Sequence, residues 1–405
     1  MNVKKLCQNY GVVLMGKPLH FLAFFFGTLI SYYNYELGFA PFILLSILIY
    51  FILAIICLIR YDSFPSRFLS VAFLFLPILF WALIVSTLSF YPFLYSRLIV
   101  FVFFLLISFY LDTESKSSYI NLLYSVKLSL KLHLIAFFIQ ASYFYTTNKV
   151  IDFIEPITGE VSRVYGGSYN PVIGNEFVRL SGLFAEPGTY VSVVFTLFLF
   201  YKILSQTVNN FNRRNISSLD FFVLLSVLLT FSTFGYVFIV LYCLINLLKF
   251  NFKSIIVLFL LLGGIFFFSY EYFFQRFFSE DQYLYDYRLE LIMSFLFNNF
   301  EVSKLFLGNG YFSDFRETVP YVVDDVGLWF SILFNFGLFI FIYLIACVSR
   351  IWSNLSKLEL TLLVVLFISK LNLTYIFAVF YLLFLFHKKI IIIQGNNNYL
   401  NHKSL

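Results

Sequence analysis

The chain is poor in charged residues and in histidine, and it lacks the short motifs of nucleotide-driven pumps and zinc hydrolases. Only 12% of its 405 residues are charged, and it has 4 histidines. It contains neither a GxxxxGK[ST] phosphate-binding loop nor an HExxH pair. Cysteine is equally scarce and shows no metal-ligand spacing: Cys7, Cys57, Cys243 and Cys347. We therefore expect no cofactor, no resident metal and no nucleic acid partner, with a carboxylate-held divalent cation as the one metal-dependent alternative.

Long apolar runs dominate the chain. Hydrophobic residues make up 61% of it and the mean hydropathy is +0.89, which is more apolar surface than a soluble domain can bury. A helix needs about 20 residues to cross a bilayer core, and the runs lack the two-residue alternation of a barrel. The sequence therefore predicts an all-α polytopic membrane protein in which residues 1–405 form a single integral membrane domain. About twelve spans are predicted, at 18–33, 39–59, 68–90, 97–111, 121–145, 188–204, 219–231, 234–248, 254–270, 327–349, 358–369 and 374–386.

Lysine and arginine are concentrated in the connectors that face the same side as both termini, which predicts a cytoplasmic location for the termini. No small-residue cleavage site follows the first apolar run, so we expect an uncleaved first helix. Two connectors on the outer side, 146–187 and 271–326, are long enough to carry function, and they hold most of the Asp and Glu. Residues 394–405 are predicted to form a disordered cytoplasmic tail.

Arginines in the two outer loops are the first group of candidate site residues. A guanidinium keeps its charge and binds phosphate oxygens in a bidentate fork, so arginines on the outer membrane surface suit phosphate or pyrophosphate. The alternative is that they pair with neighbouring carboxylates in folded loops. Arg179 stands at the mouth of a predicted helix and Arg288 lies in an amphipathic segment, and both are candidate catalytic residues. The candidate substrate-binding arginines are Arg163, Arg276 and Arg316.

Carboxylates at the starts of two predicted helices form the second group. Glu186 precedes Pro187, and the pair Asp324 and Asp325 precedes the predicted span at 327–349. A carboxylate at a helix N-terminus stabilises the helix dipole, so capping competes with catalysis as the explanation. We treat Glu186 and Asp325 as candidate general bases and Asp324 as a candidate substrate-binding residue.

Four motifs together carry a resemblance to a known family. They are RLSGLFAEPG at 179–188, FSTFGYVF at 231–238, LGNGYF at 307–312 and DDVGLWFSILFNFG at 324–337. In this order the set resembles Wzy-type O-antigen or capsule repeat-unit polymerases, over roughly two-fifths of the chain. Arg163 with Gly174, and Arg316 with Gly327, also match an arginine-to-glycine spacing described for some of these polymerases.

The resemblance implies a fold similar to the lipid-dependent, GT-C-like glycosyltransferases. It implies a polymerase that joins oligosaccharide repeat units carried on undecaprenyl pyrophosphate, without a nucleotide sugar. The expected place is the bacterial inner (plasma) membrane, with the active site facing the periplasm. The expected partners are the lipid-linked substrate, membrane lipid, a chain-length regulator and a flippase.

Two rival functions stay open. An O-antigen ligase shares the architecture, but the related ligases carry a functional histidine near the position of Asp324 and Asp325. A flippase or transporter of lipid-linked sugars is expected to place ionisable groups deep inside its spans. The main candidates for such groups are Lys127 and Lys131, near the inner end of the fifth predicted span. Because charge is concentrated in the outer loops instead, the sequence favours an enzyme that acts on the outer face.

Overall fold

The computed structural model describes a set of helices that pack around one central helix. The described residues are 18–32, 41–60, 77, 80, 81, 84, 116–163, 165–170, 175–209, 217–247, 302–308, 326–371, 381, 382, 384 and 385. The predicted spans 97–111 and 254–270 and the predicted tail 394–405 lie outside them, as do most of 68–90, 374–386 and the second outer loop.

The described part of the chain is mostly helical, as the apolar runs predict. Its helices are α1 (Pro18–Thr28), α2 (Pro41–Arg60), α3 (Lys116–Thr147), α4 (Glu155–Thr158), α5 (Pro187–Asn209), α6 (Ser218–Leu229), α7 (Thr233–Tyr242), α8 (Val302–Leu307), α9 (Leu328–Trp352) and α10 (Lys357–Ile368). A local exception lies in the first outer loop, where β1 (Tyr165–Asn170) pairs antiparallel with β2 (Asn175–Val178).

Among the described residues, three stretches are long and apolar enough to cross a membrane. They are Tyr119–Thr147 in α3, Pro187–Val208 in α5 and Leu328–Trp352, which is α9. The first two contain the predicted spans 121–145 and 188–204, and the third covers the predicted span 327–349 except for its first residue. These helices indicate a membrane protein, as the hydropathy predicts, while the number of twelve spans stays a prediction.

Helix α5 lies at the centre of the bundle and packs against α3, α6, α7 and α10. Phe195, Phe198 and Phe200 on different sides of α5 are all fully buried. A helix that is apolar all round must be covered by other helices, which fits this central place. Two buried hydroxyl groups of α5 are satisfied within the helix, since Ser192 Oγ donates to Gly188 O at 2.9 Å and Thr196 Oγ1 to Ser192 O at 2.7 Å.

Helices α6 and α7 form a short helical hairpin rather than one continuous helix, as the separate predicted spans 219–231 and 234–248 require. Phe231 takes φ 48° in the turn between them. A Cβ on Gly235 would lie 2.9 Å from the carbonyl oxygen of Val227, so α7 folds back closely on α6. At its start, α6 has a capping box between Ser217 and Asp220.

The motifs LGNGYF and DDVGLWFSILFNFG meet at a close backbone contact between α8 and α9. Gly308, in LGNGYF, has φ 84°, and Gly337, which ends DDVGLWFSILFNFG, has φ 76° and breaks the helical backbone inside α9. A Cβ on Gly337 would lie 2.3 Å from Phe306 O, so only glycine fits there. The indole of Trp81 donates to the carbonyls of Leu307 at 3.2 Å and Phe336 at 3.1 Å, which satisfies backbone oxygens freed by the break.

Candidate functional site

The segment RLSGLFAEPG is a folded turn that α3 holds at the head of α5. The side chain of Gln140 accepts hydrogen bonds from the backbone N–H of Ser181 at 3.1 Å and of Gly182 at 2.8 Å. The same side chain donates to Ile151 O at 2.8 Å, so one residue of α3 fixes both ends of the first outer loop. Gly182 takes φ 56°, a conformation that favours glycine.

An aromatic cluster lies under this turn. Phe184 is fully buried, and its ring stacks on His133 of α3 with centroids 5.1 Å apart. Tyr190 in the first turns of α5 is also fully buried and stacks on Phe137 at 4.8 Å. Aromatic pairs of this kind stabilise beyond their buried area, so the turn has little freedom to move.

The loop that leads to Arg163 is organised by Asp152. Its carboxylate accepts backbone N–H groups from Ile154 at 2.8 Å, Glu155 at 3.0 Å and Ser162 at 2.6 Å. Partial burial alone would raise the pKa of Asp152, but these hydrogen bonds to the ionised form outweigh burial and lower the pKa. The backbone N–H of Arg163 then donates to Ala185 O at 2.7 Å, which places Arg163 beside Glu186.

Glu186 is the centre of an ion-pair cluster formed by Arg163, Glu186 and Lys370. Its Oε1 lies 2.6 Å from Nη1 of Arg163, and its Oε2 lies 2.9 Å from Nζ of Lys370. The two cations differ in environment, because the Arg163 side chain is 68% exposed and that of Lys370 only 11%. The cluster thus presents one exposed guanidinium at the surface and one enclosed ammonium.

The charge balance of the cluster keeps Glu186 ionised. Burial is the largest single influence and would raise the pKa of Glu186, but Lys370 and then Arg163 together outweigh it, and the pKa is lowered. A carboxylate with a lowered pKa is a weaker base than an ordinary glutamate. Glu186 is therefore better suited to hold two cations in place than to remove a proton.

Glu186 also stands directly before α5, which bears on the choice between capping and catalysis. Its carbonyl accepts from the backbone N–H of Tyr190 at 3.1 Å, and Pro187 is the first helical residue. Both side-chain oxygens, however, are engaged by cations. Ion pairing thus accounts for this carboxylate, and the pair with Arg163 is the alternative that the sequence had left open for the loop arginines.

Lys370 is a site residue that sequence reasoning missed. Its backbone N–H donates to Ser192 Oγ at 3.3 Å, and a Cβ on Gly188 would lie 2.9 Å from its Cε. Glycine at position 188 therefore makes room for the lysine stem against α5. The available signal was a lysine in the short break between the predicted spans 358–369 and 374–386, on the same predicted side as Glu186.

The start of α9 lies beside the same cluster. The backbone N–H of Leu328 donates to Ser369 O at 3.1 Å, next to Lys370. Gly327 has φ 124°, and a Cβ there would lie 2.9 Å from Ile368 O. The motif DDVGLWF therefore leads into a helix that begins against the segment carrying Lys370.

The candidate residues from the sequence divide into two groups. Arg163 and Glu186 are in direct contact, and Arg179 lies in the same loop, between the buried residues Val178 and Leu180. The other candidates lie outside the described residues: Arg276, Arg288, Arg316, Asp324 and Asp325. Within the described ranges, no group of three or more His, Cys, Asp and Glu side chains lies close enough to hold a metal ion.

The site is suited to bind an anion. It places Arg163 and Lys370 beside the turn at the head of a central membrane helix, and the carboxylate that they both contact, Glu186, is already ionised. Fixed cations of this kind stabilise negative charge that develops on a leaving group. In comparisons with known proteins, no protein family, curated protein or solved structure gives a significant match to this chain.

Proposed function

We propose that this protein is a polysaccharide polymerase that extends O-antigen or capsular glycans from repeat units linked to undecaprenyl pyrophosphate. The observation that supports this most directly is the ion-pair cluster of Arg163, Glu186 and Lys370, next to the rigid turn that carries Arg179. It gathers basic side chains at the end of an apolar helix, where the phosphate groups of a lipid-linked substrate would lie.

The proposed reaction needs no nucleotide sugar, because the lipid carrier supplies the leaving group. The bond between the anomeric carbon of the growing glycan and its pyrophosphate breaks, and the pyrophosphate oxygen takes the electron pair. A hydroxyl oxygen at the non-reducing end of the incoming repeat unit forms the new bond and loses its proton. In this scheme Arg179 and Arg288 stabilise the leaving pyrophosphate, and Arg163, Arg276 and Arg316 bind substrate phosphate.

Glu186 serves in this proposal to position Arg163 and Lys370, since both of its oxygens are engaged and its pKa is lowered. That leaves Asp325 as the candidate base for the acceptor hydroxyl, with Asp324 as a substrate contact. A pyrophosphate is a good leaving group, so a weak base is sufficient.

The proposed location is the bacterial inner membrane, with the ion-pair cluster facing the periplasm and a chain-length regulator and a flippase as partners. In topology-reporter fusions, a reporter after Ser168 or Asp314 should report the periplasm, and one after Asn212 the cytoplasm, as the distribution of Lys and Arg requires. A periplasmic signal at Asn212 would contradict the orientation. The result does not depend on whether the short α6–α7 hairpin crosses fully, because a hairpin starts and ends on the same side.

The catalytic proposal is tested with purified protein and purified lipid-linked repeat units. We expect a ladder of longer lipid-linked glycans and release of undecaprenyl pyrophosphate, with no added nucleotide sugar and no loss of rate in a chelator. A variant with Glu186 and Lys370 both replaced by Gln serves as the site control. The absence of a glycan ladder with intact lipid-linked substrate would refute the polymerase function. Loss of the reaction in the chelator would refute the metal-free mechanism. Transfer of the glycan to a lipid A core instead would favour the ligase.

A further inference from the structure

A groove of about 1070 Å³ lies between α3 and the start of α6, apart from the ion-pair cluster. Its walls are mostly apolar, and Phe138 of α3 meets Phe222 of α6 edge-on along it, with ring centroids 5.8 Å apart. The residues that line it on α3 recur every three or four positions, so they share one exposed face of that helix: Lys127, Lys131, Leu134, Ile135, Phe138, Ile139, Ser142, Tyr143 and Thr146. The groove therefore follows the length of a membrane helix.

Two lysines stand at one end of this groove without a counter-charge. Lys127 and Lys131 are both exposed, and both lie within the apolar stretch Tyr119–Thr147. No hydrogen bond or ion pair joins either lysine to another described residue, and no described Asp or Glu lines the groove. The nearby Asp220 is paired with Lys202 and capped by Ser217. An ammonium group inside a membrane helix normally has a partner, so these two are suited to bind an anion from outside the described residues.

The lysine end of the groove is far from the ion-pair cluster. Gln140 marks the level of the turn at 181–182, and Lys131 and Lys127 lie about 13–20 Å further along α3, at 1.5 Å per residue, in the opposite direction from Thr146. Hydroxyl groups of Tyr201, Ser217 and Ser218 line the same end. Substrate pyrophosphate held at the ion-pair cluster is therefore out of reach of these lysines.

We propose that the groove binds an anionic phospholipid of the bilayer. Its phosphate lies between Lys127 and Lys131, with the hydroxyl groups of Ser218 and Tyr201 as additional donors. Its acyl chains lie along Leu134, Ile135, Phe138 and Ile139. Charge complementarity selects the headgroup, since the two lysines face no described carboxylate, and the apolar walls select a lipid over a free anion. In the orientation proposed above, the headgroup lies in the cytoplasmic leaflet, where anionic lipids are concentrated.

The test uses the full-length protein purified in a neutral detergent and native mass spectrometry with phosphatidylglycerol or phosphatidylcholine of identical acyl chains. We expect the wild type to retain phosphatidylglycerol in preference to phosphatidylcholine. In the double variant K127Q/K131Q, the preference for phosphatidylglycerol should fall by about tenfold, because the attraction of two lysines to an anionic lipid is lost. The charge-preserving double variant K127R/K131R should keep it. Lys149, an exposed lysine outside the groove, gives the matched control K149Q, which should behave as the wild type.

Each other outcome overturns the assignment. Equal retention of both lipids by the wild type would mean that the groove does not select charge. A loss of preference in K149Q as large as in K127Q/K131Q would mean that surface charge in general is responsible. Displacement of the lipid by millimolar inorganic phosphate would identify a site for a free anion, and preferred retention of a polyprenyl phosphate would identify the carrier lipid in place of a bilayer phospholipid. The single variants K127Q and K131Q repeat the comparison if the double variant aggregates.

Discussion

Replacement of Arg179 by alanine should abolish long polymer and leave a single repeat unit on the lipid carrier. Arg179 follows β2 directly and lies between two buried residues, Val178 and Leu180, so its backbone is fixed close to the head of α5. Loss of one donor that stabilises a developing anion lowers a rate by roughly 10²–10³-fold in other enzymes. We expect an effect of that order here, measured as the polymer ladder in a deletion strain that carries the variant and, in vitro, as the rate of lipid-linked product formation.

A charge-preserving variant of Arg179 and a matched arginine in the same loop serve as controls. Arg179→Lys keeps the positive charge but loses the bidentate fork, so it should remain strongly impaired if the guanidinium binds pyrophosphate. Arg163→Ala should be milder, because Arg163 is 68% exposed and Lys370 still pairs with Glu186 in its absence. Normal polymer from Arg179→Ala at normal protein abundance would remove Arg179 from the site.

The long membrane helices were predictable from the sequence because their signal is local. The spans predicted at 121–145 and 188–204 lie inside α3 and α5, and the span predicted at 327–349 begins one residue before α9. Each apolar run is long enough to be recognised as a helix without knowledge of its neighbours. The hairpin of α6 and α7 was predictable for a similar reason, as the polar turn at 230–233 interrupts the run. Capping residues such as Ser217 and Asp220 mark the start of α6 in the sequence as well.

The contacts that build the candidate site were not predictable, because they join distant parts of the chain. Lys370 meets Glu186 across 184 positions, and Gln140 meets Gly182 across 42. Neither residue belongs to a recognisable motif. The close contact of Gly308 with Gly337 was not predictable for the same reason. Each glycine belongs to one of the four motifs, but nothing in the sequence indicates that the two motifs are in contact.

Separate replacement of Glu186 and Lys370 by glutamine should each lower polymerisation by about tenfold, and the double variant should be no worse than the more impaired single variant. The reason is that the two side chains form one unit: without Glu186 the mostly enclosed Lys370 loses its counter-charge, and without Lys370 the carboxylate no longer has its strongest partner. Removal of one member of such a pair costs more than removal of both, so the effects are not additive. The rates of the wild type, the two single variants and the double variant, measured with purified components, form a double-mutant cycle that gives the coupling between the two residues.

The cycle separates positioning from base catalysis. If Glu186 removed the acceptor proton, Glu186→Gln would lower the rate by roughly 10²–10⁴-fold whether or not Lys370 was present, and Lys370→Gln would be much milder. A stability measurement against pH gives an independent check. The pKa of Glu186 is lowered in the folded protein, so its ion pairs contribute fully above the ordinary value of 4.5 and are lost as the pH falls through the lowered pKa. In Lys370→Gln the loss of the strongest lowering influence should move the acid transition of Glu186 to higher pH, and in Glu186→Gln the contribution of this residue should disappear while that of Asp152 remains. An unchanged acid transition in both variants would mean that the ion pairs do not form in the folded protein, and the assignment of Glu186 as a positioning residue would fail with them.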